Sequence, residues 1–248
     1  MSQISGQADN HKTDEMIPSN QWGSDIEVES GLVRQNLLEV ENDIALYNTK
    51  IIAVTKYYGC DAIVKAYNAG VRNFGESRAN ESVDKIQALP EEIRQSSIFH
   101  FIGHLQTNKA EKVVKHFDYI HSVDSLKLAK VISDVACGLN KREKVLLQVN
   151  NANEIQKFGY DEVQLKEDMS EILGLKGIEV VGLMNMAPLA ASESELRTVF
   201  SGLRRLRDEL QEDFRISLPE LSMGMSNDYK IAVSEGATFI RIGRKLFN

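Results

Sequence analysis

The chain has 248 residues, of which 42% are hydrophobic and 26% are charged, and its formal net charge is −7. This composition is typical of a globular protein with a sizeable core. The acidic balance argues against nucleic-acid binding, which requires a basic face. No apolar run reaches the roughly 18 residues of a transmembrane helix, so we expect no membrane association.

The N-terminus and the cysteines indicate the compartment. The first residues include no apolar stretch of the kind found in signal peptides. Cys60 and Cys137 lie far apart and outside any C-x-x-C motif, so we expect no disulfide and a cytoplasmic protein. Residues 1–24 are polar and aperiodic and are predicted to form a disordered tail, while residues 25–248 are predicted to form one domain.

Hydrophobic periodicity predicts the elements that follow the tail. Apolar residues at helical spacing predict an amphipathic helix over residues 26–47. Short β-branched runs then predict strands at 51–55, 71–75, 99–103, 119–123, 145–150, 179–184, 220–223 and 238–242. Helical patterns between them fall at 61–68, 79–89, 108–116, 125–137, 161–173, 193–210 and 227–235.

Helix-capping residues and glycines support the boundaries of these predicted elements. Asp61, Ser125 and Ser226 are predicted helix N-caps. Glycines at positions 70, 177 and 236 precede predicted strands. Strands that alternate with helices predict a parallel sheet, and eight of them suffice to close a (β/α)8 TIM barrel with an extra N-terminal helix. An open doubly wound sheet is the alternative.

Lys56 follows the first predicted strand. Residues 52, 54 and 56 share one face of an extended strand, so Lys56 is expected at the carboxyl mouth of the barrel if Ile52 and Val54 face its interior. A partly apolar pocket favours the neutral form of an amine, which Schiff-base chemistry requires. The alternative is a lysine that simply leaves the strand into solvent.

Two glycine- and serine-containing turns follow the last two predicted strands. They comprise residues 222–228 and residues 241–244. Barrels of this class commonly bind phosphate after strands seven and eight, where small residues and a helix N-terminus admit an anion. Arg241 is expected to point inward, where it would donate either to a ligand nitrogen of pyridine type or to a carboxylate in an ion pair.

No metal site is expected. His100 and His104 do not have the helical spacing of a metal-binding pair, and no H-E-x-x-H motif is present. Cys60 lies near Lys56 in sequence but has no evident activating partner, so we interpret it as a packed thiol.

Several motifs together resemble one known family. The chain resembles the pyridoxal 5'-phosphate (PLP) homeostasis proteins, which are related to the barrel domain of alanine racemases. The matching segments are residues 53–56, 74–76, 100–109, 121–124, 148–150, 157–159, 182–184, 221–226 and 241–244. Departures from the family pattern occur at Ser77, Arg78, Phe158 and Asn185, and the chain stops at Asn248, a few residues short of its relatives.

The resemblance implies a cofactor, PLP, and residues that bind it. It implies a PLP Schiff base on Lys56, phosphate contacts from the loop of residues 222–226 and from the last turn, and an arginine near the pyridine nitrogen. The residues concerned are Lys56, Ser222, Gly224, Met225, Ser226, Arg241, Gly243 and Arg244.

The resemblance also implies a function. It implies a protein that carries or buffers PLP in vitamin B6 and amino-acid homeostasis without an established enzymatic reaction, with PLP-dependent apoenzymes as acceptors. A PLP-dependent amino-acid racemase is the alternative. We expect a monomer, because no apolar interface stripe is evident in the sequence.

Overall fold

The computed structural model describes residues 28–152 and 158–248. Its strands are β1 Lys50–Val54, β2 Asn73–Glu76, β3 Ile98–Phe101, β4 Tyr119–Val123, β5 Glu143–Gln148, β6 Ile178–Met184, β7 Glu220–Met225 and β8 Phe239–Ile242. Each strand pairs in parallel with its sequence neighbours, and β1 also pairs with β8, with Ala53 opposite Ile242. The sheet is therefore closed, which confirms the (β/α)8 barrel and excludes the open sheet.

Helices cover the outside of this barrel. They are α1 Ser30–Asp43, α2 Cys60–Ala69, α3 Ala79–Ala88, α4 Glu91–Ser96, α5 Ala110–His116, α6 Leu126–Gly138, α7 Glu162–Leu173, α8 Glu193–Phe214, α9 Tyr229–Ser234 and α10 Arg244–Phe247. A single 3₁₀ turn, Thr107–Lys109, precedes α5. Among the helices of the described residues, none is long and apolar enough to cross a membrane.

The boundary residues explain where several helices begin and end. Ser125 caps α6 as predicted, since its side chain accepts a hydrogen bond from the backbone of Leu128. The capping predictions for Asp61 and Ser226 were wrong. Helix α2 begins after Gly59, which places Asp61 inside the first turn, and α9 begins after Asp228.

The predicted glycines have two different structural roles. Gly70 and Gly236 have φ values of 116° and 100°, a left-handed conformation that lets the chain leave a helix and enter a strand. At Gly177 the reason is close packing, because a Cβ there would lie 2.0 Å from the carbonyl oxygen of Ser133.

Three differences from the predicted elements lie near the chain ends and in one connection. Helix α1 is shorter than the predicted 26–47, and the predicted tail at 1–24 lies outside the described residues. The short helices α4 and α10 were not predicted, because a helix of one or two turns has too few residues to establish a period. The C-terminal helix packs against α1, with Lys245 paired to Glu39.

The outer and inner sides of the barrel sheet carry different kinds of side chains. Side chains such as Ala53, Phe74 and Ile240 are fully buried in one large apolar cluster with the surrounding helices. The interior instead contains aromatic and polar groups, and the His100 and Phe239 rings meet there with centroids 5.3 Å apart. Strands β3 and β8 are not neighbours, so this contact crosses the barrel.

Candidate functional site

Lys56 lies at the carboxyl mouth, in a turn directly after β1. Gly75 pairs in register with the inward-facing His100, so it also faces inward. A Cβ at Gly75 would lie 2.8 Å from Ile52 and 3.6 Å from Val54, which places both of those side chains in the interior. The strand ends at Val54, and Lys56 follows in a turn, half-buried, with its Nζ 4.9 Å from the Tyr57 ring centroid.

The loop after β7 meets the last turn of the chain. The Ser226 hydroxyl accepts hydrogen bonds from the backbone of Gly243 at 3.4 Å and of Lys245 at 3.3 Å. This is the physical reason that Ser226 does not cap α9: its side chain caps α10 instead. The backbone N–H of Met225 donates to the Asp228 carboxylate, so this predicted phosphate donor already has a partner within the loop.

Two glycines give this region its shape. Gly224 has a φ of 88°, and a Cβ there would lie 2.5 Å from the Cβ of Ala232, so α9 packs directly on the loop backbone. Gly243 lies beside the end of β1, where a Cβ would be 3.4 Å from the carbonyl oxygen of Val54. The fold therefore brings the turn of Lys56, the Ser226 hydroxyl and Gly243 to one side of the mouth, with the exposed Arg244 next in sequence.

Arg241 and Ser222 lie deeper in the barrel than these groups. Arg241 is 5% exposed and donates to the Ser222 hydroxyl at 2.7 Å and to the backbone oxygen of Asn185 at 2.8 Å. Within residues 28–152 and 158–248, no carboxylate lies within ion-pair distance of its guanidinium. Burial lowers the pKa of Arg241 to about 10, opposed by the nearby Asp228, so the group remains charged at neutral pH.

A hydrogen-bonded chain continues from Ser222 through the centre of the barrel. His121 Nδ1 lies 2.9 Å from the Ser222 hydroxyl, and His121 Nε2 lies 2.9 Å from His100 Nδ1. His100 Nε2 lies 3.0 Å from Oδ1 of Asn73. These contacts connect the mouth to the amino ends of the strands.

The proton positions in this chain follow from its two ends, because Arg241 can only donate and Oδ1 of Asn73 can only accept. Ser222 accepts from Arg241 and is left to donate its own proton to His121. A neutral His121 then donates from Nε2 to His100, and His100 donates to Asn73. The sequence analysis missed this network, although the alternation Phe99-His100-Phe101 places His100 opposite the two apolar side chains and could have indicated an inward histidine.

The buried histidines predict how stability depends on pH. Burial, assisted by Lys50, lowers the pKa of His100 from 6.5 to about 3, and burial together with His100 and Arg241 holds the pKa of His121 well below its ordinary value. Below about pH 6.5 these two histidines therefore bind protons in the unfolded chain but remain neutral in the folded barrel. Stability is fully present above the unfolded pKa and is lost as the pH falls toward the folded pKa, by about 1.4 kcal/mol per pH unit for each histidine.

A His100→Gln variant isolates this effect. As the pH falls from about 6.5 to 5, its unfolding free energy should depend on pH less steeply than that of the parent, by a difference that grows from about 0.7 to about 1.4 kcal/mol per pH unit. Urea unfolding at several pH values measures the difference. Burial raises the pKa of Glu143 to about 7, which acts in the opposite direction but equally in both proteins. Parallel pH profiles would contradict the prediction.

The rim contains residues that depart from the family pattern. Phe158 stacks on His104 with ring centroids 3.7 Å apart, and His104 pairs with Asp124 at 3.2 Å. Ser77 packs against Gly103, where a Cβ would lie 2.2 Å from the Ser77 carbonyl oxygen. Arg78 pairs with Glu81 on the surface.

Asn185, another departure, lies inside the barrel beside Arg241. Its side chain donates to Asn151 at 3.0 Å, and its Oδ1 is buried and has no hydrogen-bond partner among the described residues. In the same part of the chain, no group of three or more His, Cys, Asp or Glu residues is arranged to hold a metal ion.

Comparison with known families identifies the barrel. The family described as the N-terminal domain of alanine racemase matches residues 28–248. The pyridoxal phosphate homeostasis protein of Synechocystis sp. is 42% identical over 200 residues, which cover 81% of this chain and 91% of that protein. Its counterpart in Aquifex aeolicus is 39% identical over 198 residues, which cover 80% of this chain and 86% of that protein.

A solved structure shows the same architecture. PipY of Synechococcus elongatus, determined with PLP bound, superposes with a TM-score of 0.80 at 37% identity. The match covers 87% of this chain and 100% of the PipY chain.

Proposed function

The chain belongs to the family of pyridoxal phosphate homeostasis proteins, and on that basis we propose that it binds PLP and carries or buffers it in vitamin B6 and amino-acid homeostasis. The proposed site is the carboxyl mouth of the barrel, with PLP held as a Schiff base on Lys56. PLP-dependent apoenzymes inside the cell are the proposed acceptors of the carried cofactor.

Arg241 is the observation that carries this proposal. A buried guanidinium is costly unless its charge is compensated, and the partners of Arg241 are the uncharged oxygens of Ser222 and Asn185. A ligand that offers an electron-rich ring nitrogen at the mouth would give this cation a further acceptor. The hydrogen bond from Ser222 to His121 fixes the Ser222 hydroxyl. The hydroxyl in turn accepts a hydrogen bond from the Arg241 guanidinium and holds it in place.

PLP, when bound, supplies an electrophilic aldehyde, a phosphate dianion and a pyridine nitrogen. We assign Lys56 to the aldehyde and Arg241 to the ring nitrogen. We assign Ser226, Gly243 and Arg244 to the phosphate, because they cluster where the ends of β7 and β8 meet.

The remaining predicted phosphate contacts are engaged elsewhere in this structure, whereas, among the described residues, the N–H of Gly243 is bonded only to the hydroxyl of Ser226, which belongs to the same proposed phosphate site. Gly224 shapes the loop through its left-handed conformation. The N–H of Met225 is bonded to Asp228, and the Ser222 hydroxyl is bonded to His121 and Arg241. We therefore propose that these three residues support the site, and that Ser222 does so by orienting Arg241.

A racemase is the competing function, and Arg241 weakens its electron sink without excluding it. The electron sink of a PLP enzyme is strongest when the pyridine nitrogen is protonated, and a neighbouring arginine that remains charged opposes that protonation. With Lys56 as the proposed base, exchange at the α-carbon of an amino acid is expected to be slow and confined to one face.

Turnover assays distinguish the carrier from the racemase. The protein is saturated with PLP, desalted, checked for a retained visible absorption band and incubated with L-alanine in D₂O. We expect the band to persist, with little deuterium at the α-carbon and no D-alanine at enzymatic rates. D-alanine formed at about 1 s⁻¹ or faster, and abolished by Lys56→Ala, would establish the racemase.

A further inference from the structure

A buried ion pair lies directly behind the turn that carries Lys56. Lys85 of α3 and Glu76 at the end of β2 approach within 2.5 Å, and each side chain is only 2% exposed. A buried pair of this kind contributes little net stability, because desolvating two charges offsets most of their attraction. Net stabilisation by the Lys85–Glu76 pair therefore does not by itself explain why the two residues lie behind this turn.

The Lys85 ammonium holds both ends of the Lys56 turn. It donates to the carbonyl oxygens of Thr55 and Tyr58, each at 2.9 Å. The same turn is closed by the Tyr58 N–H, which donates to the Thr55 carbonyl at 2.9 Å. Lys56 is the second residue of this four-residue turn, so the ammonium holds the carbonyl groups of the first and last residues of the turn that contains it.

Glu76 holds the first residue of the turn through its side chain. The Thr55 hydroxyl donates to Oε1 of Glu76 at 2.6 Å. The Thr55 N–H is bonded to the Gly75 carbonyl at 3.1 Å. Thr55 thus has its N–H, its carbonyl and its hydroxyl all fixed, and three of these contacts lead back to β2 or to the ion pair.

We propose that Lys85 and Glu76 are positioning residues for Lys56: they fix the turn so that the Lys56 amine is aimed at the PLP aldehyde. This inference rests on the proposed function, since it concerns how that same site forms its covalent link. In the step concerned, the neutral Lys56 amine would add to the aldehyde carbon, a C=N bond would replace the C=O bond, and the aldehyde oxygen would leave as water with the two protons of the amine. The pair does not touch the phosphate or the ring nitrogen positions.

The opposite end of the barrel offers a matched control. Lys141 pairs with the buried Glu143 at 2.7 Å and likewise donates to two backbone carbonyls, those of Val114 and Phe117. Glu143 begins β5, at the amino ends of the strands, so this second pair lies far along the barrel from Lys56. It joins the same residue types without the proposed role, although Lys141 is more exposed than Lys85, 33% against 2%.

The test compares PLP with 4'-deoxypyridoxine 5'-phosphate, which keeps the ring and the phosphate but lacks the aldehyde. Both are titrated into the full-length parent, into the charge-free double variant E76Q/K85M and into the control K141M/E143Q. In E76Q/K85M we expect PLP affinity and the rate of borohydride-trappable adduct formation to fall by about tenfold or more, since a shift of about 1 Å at a reacting group can lower rates on the order of 100-fold. Binding of the deoxy analogue should change by less than about threefold.

Three outcomes would overturn the inference. They are unchanged PLP binding in E76Q/K85M, an equal loss for PLP and the deoxy analogue, and the same selective loss in K141M/E143Q. If the double variant does not fold, Thr55→Val tests the same idea by removing only the hydroxyl that bonds Glu76. A smaller but still PLP-selective loss supports the inference, and no selective loss overturns it. Failure of the parent itself to form an adduct on Lys56 would instead refute the proposed function.

Discussion

Replacing Lys56 with alanine should abolish the visible absorption band of PLP-loaded protein and the adduct trapped by borohydride. Lys56 is half-buried in the turn that follows β1 at the carboxyl mouth, and a Schiff base cannot form without an amine. The variant should still fold, because Lys56 lies in a turn rather than in the packed core. Absorption spectra, borohydride reduction and peptide mapping of parent and variant measure the effect.

Lys109 provides the control for this substitution. It is half-buried and ends the 3₁₀ turn that follows β3 on the same side of the barrel. Lys109→Ala should leave the band and the adduct intact. A trapped adduct that maps to Lys109, or to Lys157, which lies outside the described residues, would show that the lysine has been assigned incorrectly.

Gly243→Ala should weaken PLP binding far more than it weakens the fold. The added methyl would lie 3.4 Å from the Val54 carbonyl oxygen and 3.5 Å from the Val54 Cβ, which are ordinary van der Waals distances. The same methyl would enter the space beside the end of β1 where we place the phosphate. A phosphate displaced by the methyl group would lose its hydrogen bond to this turn. Loss of one charge-assisted hydrogen bond costs about 1.5–3 kcal/mol, so we expect the Kd for PLP to rise by about ten- to a hundredfold.

Dialysis against phosphate buffer measures this loss as faster release of PLP, and thermal unfolding of the apo-protein measures stability. Ser226→Ala should act in the same direction, because the hydroxyl that joins the β7 loop to the last turn is removed. Gly31→Ala is the control. A Cβ at Gly31 meets nothing within 4 Å, so retention of PLP should equal that of the parent. Equal retention in the Gly243 variant would place the phosphate elsewhere.

The barrel itself was predictable from local patterns. Every predicted strand corresponds to an observed one, and the first differs only by one residue, 51–55 against Lys50–Val54. This agreement has a physical reason. Strands buried on both faces are recognised as short apolar runs, and amphipathic helices are recognised by their 3.6-residue period. Both signals lie within short stretches of sequence and can be read without knowing the tertiary structure.

Predictions of helix caps, which depended on single side chains, were wrong at Asp61 and Ser226. Ser226 precedes α9 and has a favourable capping residue type, yet its hydroxyl is bonded to the backbone of Gly243 and Lys245. Residue type gives the capacity to cap a helix end, but the tertiary structure decides which helix end lies within reach.

The sequence by itself determined the barrel, the position of Lys56 at its mouth and the family. Only the tertiary structure decided what surrounds these residues. The contact between His121 and Ser222 joins positions 101 residues apart, and the Lys85 ammonium reaches the Thr55 carbonyl across 30 residues. Such contacts leave no trace in hydrophobic periodicity, because polar residues that are buried in a pair and polar residues that are solvated produce the same pattern. Closure of the barrel brings them together, and it thereby gives Arg241 its neutral partners and the turn of Lys56 its buried support.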